Sequence, residues 1–131
     1  MNLEQLRTLF AKDYFATEQC GIQIDEVTQH GAKCSMPILR KHLNANETVQ
    51  GGAIFTLCDT AFSVAANAGD RLTVSRSADI TYIKPGTGTC LYAVAEELSR
   101  GGTTCLYRVS VFDDQGELVA HMTGNGHFLK R

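Results

Sequence analysis

The residues with the most chemical potential lie between His42 and Asp70, in HLNANETVQGGAIFTLCDTAFSVAANAGD. Asp59 stands out among them. It sits inside the stretch from Gly51 to Ala68, which is mostly Ala, Ile, Leu, Phe, Val and Cys and has no proline. That content predicts one long helix over 51–68, apolar round most of its circumference and therefore buried. Thr56, Asp59, Thr60, Ser63 and Asn67 are spaced to share one narrow strip of it. An ionised carboxylate in apolar surroundings costs several kcal/mol unless it is paired or close to water. Water or a reacting group is therefore expected in front of Asp59. The helix opens on the pair Gly51-Gly52, whose free N–H groups and positive dipole end suit an anion or a polarised carbonyl. A carboxylate base or nucleophile and a backbone donor are two of the parts that hydrolytic chemistry needs.

Each of these residues also has a plain structural reading. Asp59 reads alternatively as a satisfied carboxylate, the glycine pair as a simple helix start, and Asn44 as a loop cap. His42 reads as structural, and His30, His121 and His127 as surface or strand positions. Cys58 adjoins Asp59, but no histidine has a spacing that marks it as a partner, so a cysteine nucleophile is disfavoured. GxxxxGK and GxGxxG are absent, which argues against a nucleotide loop.

The 131 residues suit one domain, 1–131, with room for a proper core. A hydrophobic content of 44% and a charged content of 20% describe a globular chain. A net charge of -2 without a basic stripe argues against nucleic acid as a partner. No run of 18 apolar residues occurs, so no membrane span is predicted. The start, MNLEQLRTLF, mixes charges and lacks a long apolar run, so no signal peptide is expected. A cytoplasmic location follows as an expectation. There the five cysteines, Cys20, Cys34, Cys58, Cys90 and Cys105, are reduced thiols. Without a CxxC pair, neither a zinc site nor a disulfide framework is expected, and nothing calls for a metal or cofactor.

The elements around the long helix follow from periodicity. Asn2 and Gln5 form a capping box, and Leu3, Leu6, Phe10 and Tyr14 recur at helical spacing, which predicts a short helix to about Thr17. Ile22 to Val27 and Lys33 to Ile38 read as two strands joined at Gln29-His30-Gly31, with Pro37 marking an edge or an end. Leu39 to Thr48 is an Asn-rich loop, and Gly69 is the C′ residue that stops the helix. Arg71 to Ile83 alternates, with Val74, Ala78, Ile80 and Tyr82 expected on one face. Cys90 to Leu98, Thr104 to Phe112 and Leu118 to Phe128 follow with short glycine-containing turns, an antiparallel meander. About six antiparallel strands and one buried helix require a sheet curled round that helix, an α+β fold.

HLNANETVQGGAIFTLCDTAF, followed by a strand ending YIKPG, resembles the hotdog-fold thioesterases of the phenylacetate, PaaI-like, group. That family shows H-x-N, a short gap, H-G-G at the helix start, D-x-A on the helix and a later Y-x-R-P. The resemblance runs from about His42 to the C-terminus. It implies a hotdog fold and hydrolysis of acyl- or aryl-CoA thioesters, with Asp59 as nucleophile or general base. Gly51 would be the backbone donor to the thioester oxygen, and Asn44 would position water or substrate. Gln50 stands where the family pattern has His; it donates a hydrogen bond but takes no proton. Gly52, Thr60 and Ser63 complete the candidate substrate-binding set. A non-catalytic acyl-CoA-binding hotdog domain is the alternative function. A hotdog dehydratase fits less well, because its His/Asp or His/Glu pairing has no place here.

Family members form dimers whose sheets join edge to edge, often paired into tetramers, so the resemblance implies a homodimer or homotetramer. Helix geometry points the same way. Gly51 and Asp59 are eight residues apart, roughly 12 Å along the axis at about 1.5 Å per residue. One thioester carbon does not easily meet both on one helix. Antiparallel helices from two chains bring Gly51 of one beside Asp59 of the other.

Overall fold

The computed structural model describes residues 1–129. Helix α1 spans Leu3–Phe10 and buries Leu6. Its start is the expected capping box: Asn2 Oδ1 accepts from Gln5 N–H at 2.8 Å and Gln5 Oε1 from Asn2 N–H at 2.9 Å. It ends earlier than periodicity suggested. Asp13 starts a second piece by accepting from Ala16 N–H at 3.2 Å, and Phe15–Gln19 winds as one wide π-helical turn. The strands are β1, Gln23–Thr28, and β2, Gly31–Pro37. After the long helix α2, Gly51–Ala66, come β3, Leu72–Tyr82, and β4, Cys90–Arg100. The chain closes with β5, Thr104–Phe112, and β6, Leu118–Leu129.

All six strands form one antiparallel sheet in the order β1-β2-β4-β5-β6-β3. The β4–β6 meander is as read from sequence. Strand β2 lies between β1 and β4, so Pro37 marks its end and not a sheet edge. The edges are β1 and β3. Helix α2 lies across the inner face and buries Ile54, Leu57, Cys58, Ala61, Phe62 and Val64. A fully buried Leu57 or Phe62 contributes about 1.5–3 kcal/mol relative to exposure. Phe62 meets the Tyr107 ring edge to face, with centroids 5.5 Å apart. It also needs Gly124 and Gly126 on β6: a Cβ on Gly124 would lie 3.2 Å from Phe62 Cδ1, and one on Gly126 3.1 Å from Phe62 Cζ. The two glycines thus leave the space that the Phe62 ring fills against the sheet. No helix among the described residues is long and apolar enough to cross a membrane.

Two expectations are corrected here. The face assigned to Val74, Ala78, Ile80 and Tyr82 holds only from Ala78 onward. A bulge between Ser75 and Ser77 adds one residue to β3 and reverses the alternation, so Val74 pairs opposite His127 on the outer face. Thr73, not Val74, faces the core there. The long helix stops at Ala66, before the expected Ala68, because Asn67 turns away to bind β3. Its Oδ1 accepts from Thr73 N–H at 2.8 Å, and its Nδ2 donates to the carbonyls of Ser63 and Thr73.

Candidate active site

The loop before α2 is built by its own side chains. Asn44 Oδ1 accepts from the N–H groups of Asn46 at 2.9 Å and Thr48 at 3.2 Å. Its Nδ2 donates to Thr48 Oγ1 at 3.0 Å. The Asn44 amide therefore shapes the loop. His42 is buried and structural: Nδ1 accepts from Leu39 N–H, which leaves the proton on Nε2 to donate to the Cys20 carbonyl, both at 2.9 Å. That bond ties the π-helical turn to the loop.

Gln50 is the N-cap of α2. Its carbonyl accepts from Ala53 and Ile54 N–H, at 2.9 and 3.2 Å, and its Oε1 accepts from Ala53 at 3.2 Å. The amide Nε2 stays open. Among the described residues, the N–H groups of Gly51 and Gly52 have no acceptor. They are the two free donors at the helix start, where the dipole is most positive. Beside them lies a cavity of about 520 Å³ walled by Phe15, Cys20, Lys41, His42, Gln50 and Gly52.

Further along, the accessible strip of α2 runs through Gly52, Thr56, Asp59 and Ser63. Asp59 is half-buried, and its carboxylate has no hydrogen-bond or ion-pair partner among the described residues. Burial pushes its carboxyl above the usual value, and the charge of Asp13 adds to the shift. Ser63 lies one turn beyond it on the same face, also half-buried. Thr60 does not join the strip. It is buried and donates to the Thr56 carbonyl at 2.8 Å. Asn67, also placed on the strip by spacing, is buried in the helix-end network. Cys58 is fully buried, its thiol pushed up to about 12 by burial and then by Asp59, which leaves no thiolate for attack.

Sequence reasoning assigned no role to Tyr82. It ends β3 and lies against the first turn of α2, where its hydroxyl donates to the Gly51 carbonyl at 2.9 Å. The signal was the YIKPG stretch itself. Four residues on, Gly86 accepts from Val49 N–H at 2.9 Å. The two ends of that stretch hold the approach to α2 from both sides.

A six-stranded antiparallel sheet curled round one long helix is the architecture of the hotdog-fold thioesterases of the PaaI-like group. The Thioesterase superfamily profile matches residues 46–120, more than half of the chain, and the chain belongs to that family. The acyl-coenzyme A thioesterase PaaI of Escherichia coli is 31% identical over 108 residues, covering 82% of this chain and 77% of that protein. The solved structure of E. coli PaaI superposes with a TM-score of 0.90 at 26% identity, over 97% of this chain and 93% of that one. A hypothetical thioesterase of Streptococcus pneumoniae, solved with coenzyme A, shares the fold, with a TM-score of 0.85 at 21% identity over 93% and 98% of the two chains.

Proposed function

We propose that the chain hydrolyses acyl- or aryl-CoA thioesters to the free acid and CoA, with Asp59 as nucleophile or general base. Gly51 N–H polarises the thioester carbonyl. The observation that carries this reading is the unpaired, half-buried carboxylate of Asp59, on the same helix face as a glycine start with free donors. The E. coli relative's acyl-coenzyme A activity supports the substrate class.

In the general-base route, Asp59 takes a proton from water as the oxygen attacks the thioester carbon. The oxyanion lies on the Gly51 N–H, collapse breaks the C–S bond, and the CoA thiolate leaves and is protonated. In the nucleophilic route, the carboxylate itself attacks and water cleaves the resulting anhydride. Gln50, through its open Nε2, Gly52 and Ser63 face the substrate. Asn44 and Thr60 act through the loop and the helix backbone that they brace.

The site is shared between two chains. Helix α2 is unbroken from Gly51 to Ala66, so the separation of roughly 12 Å between Gly51 and Asp59 holds. Strand β3 is an eleven-residue edge with its outer side unpaired, exposing Leu72, Val74 and Tyr82, and a second copy pairs there in a homodimer that doubles to a homotetramer.

Release of free CoA from a set of acyl- and aryl-CoA thioesters tests the reading. Asp59→Asn is expected to lower kcat by at least about a hundredfold. Undiminished turnover by folded Asp59→Asn would remove Asp59 from the catalytic machinery, and no CoA release by the folded wild-type protein would leave a binding domain.

A further inference from the structure

Gly51 is more than a helix-start residue, because something rests on it. A Cβ built there would lie 3.1 Å from Tyr82 Cζ and 3.2 Å from its hydroxyl oxygen, tighter than side chains ordinarily pack. The phenol reaches the glycine from the end of β3 and donates to its carbonyl at 2.9 Å. That carbonyl belongs to the same peptide group as the Gly52 N–H, one of the two free donors. A hydrogen bond to the oxygen of an amide draws electron density from its nitrogen and strengthens the N–H as a donor. It also fixes the plane of the peptide and hence the direction of the N–H.

We propose that Tyr82 is a positioning residue of the thioester site, its hydroxyl orienting and polarising the Gly51-Gly52 peptide so that the Gly52 N–H serves as a second oxyanion donor. This rests on the proposed thioesterase reading and extends it from one donor to a pair. The phenol is suited to the role. Burial against the helix, with Cys58 nearby, raises it above its ordinary value, so it keeps its proton at neutral pH. Tyr82→Phe keeps the ring and its packing, so the loss of the hydroxyl is visible chiefly in catalysis. Gly51 and Tyr82 then form one device: the absent Cβ admits the ring, and the ring carries the hydroxyl to the carbonyl.

Tyr82→Phe separates the hydroxyl from the ring. Losing a direct oxyanion donor costs about a hundredfold to a thousandfold in kcat, so losing its polariser is expected to cost about tenfold. KM and Tm should stay near wild type, since the interaction acts in the transition state. The Gly52 amide proton should move upfield in a 15N–1H correlation spectrum, a change that a merely structural role for the ring would not produce. A kcat within about twofold of wild type, or an unmoved Gly52 amide, overturns the role of Tyr82. Wild type and Asp59→Asn are assayed in parallel: no CoA release by the folded wild-type protein overturns the thioesterase reading and this one with it, full turnover by Asp59→Asn overturns only the role of Asp59, and full turnover by Tyr82→Phe leaves the thioesterase reading standing.

Discussion

Asp59 and Asp113 are both drawn back from water, and the fold treats them in opposite ways. Asp113, in the turn between β5 and β6, accepts from the N–H groups of Gln115 at 2.9 Å and Glu117 at 3.0 Å. It also pairs with Lys84 at 3.1 Å. The Glu117 N–H above all, with Lys84, holds its carboxyl below the usual value. Asp59 has no such donors among the described residues, and burial raises it. The signs of the two contributions to stability are therefore opposite. Asp113 stabilises the fold above the ordinary carboxylate range, and that contribution is lost as pH falls through its lowered value. The protonated form of Asp59 is favoured in the fold, so its contribution is present at low pH and is lost as pH rises through its raised value. A carboxylate that serves the structure is surrounded by donors; one left without them is available for chemistry.

The largest break in this contrast is Asp59→Asn. Alongside the loss of turnover, its Tm at neutral pH should equal or exceed that of wild type, because an uncompensated charge has been removed. In wild type, the acid limb of kcat/KM should lie above the ordinary aspartate value of 3.8, in the direction of the raised carboxyl. A limb below 3.8 would show that the carboxylate acquires donors in the working enzyme.

The next test asks whether the missing donors come from a second chain. Gly51→Pro removes the N–H, and Asp59→Asn removes the base. Mixed protomers should regain roughly half of wild-type activity per heterodimer, since one of the two shared sites is then intact. Heterodimers that form from folded variants and stay inactive would count against the shared site.

The smallest effect on activity belongs to the comparison residue. Asp113→Asn should lower Tm while leaving kcat per folded molecule unchanged, with the loss of Tm shrinking as pH falls. Thermal melts across pH, paired with CoA-release rates, read both quantities. A fall in kcat would mean that the β5–β6 turn communicates with the helix.

Much of this was legible in sequence because strong periodicity survives packing. The apolar circumference of α2, its strip through Thr56, Asp59 and Ser63, and the β4–β6 meander all depend on local spacing. What was missed depends on contacts between distant elements. Thr60 satisfies its hydroxyl on its own helix and turns inward, which spacing alone could not distinguish from facing outward. The bulge at Ser75–Ser77 leaves no mark in an alternating stretch, yet it reverses which residues face the core. Spacing alone puts Asn67 on the polar strip, whereas Thr73, six residues later, claims its amide. Tyr82 was visible as a motif letter, but its role needs the glycine at the other end of the sheet-to-helix contact.

The order of the sheet also bears on how the site comes into being. Strands β4, β5 and β6 are neighbours in sequence and in space, so their pairing closes only short loops. Strand β3 must wait, because among the described residues its only neighbour is β6, and Tyr82 finds its register opposite Ala120. Such a non-local pairing is slow relative to hairpin closure. Tyr82 reaches Gly51 only after β3 has docked, so the meander should gain amide protection first, and β3 with the first turn of α2 last, in pulse-labelled hydrogen exchange during refolding. Folding then ends where catalysis begins: a nascent chain can be compact and largely sheet before it has the peptide geometry to hydrolyse anything.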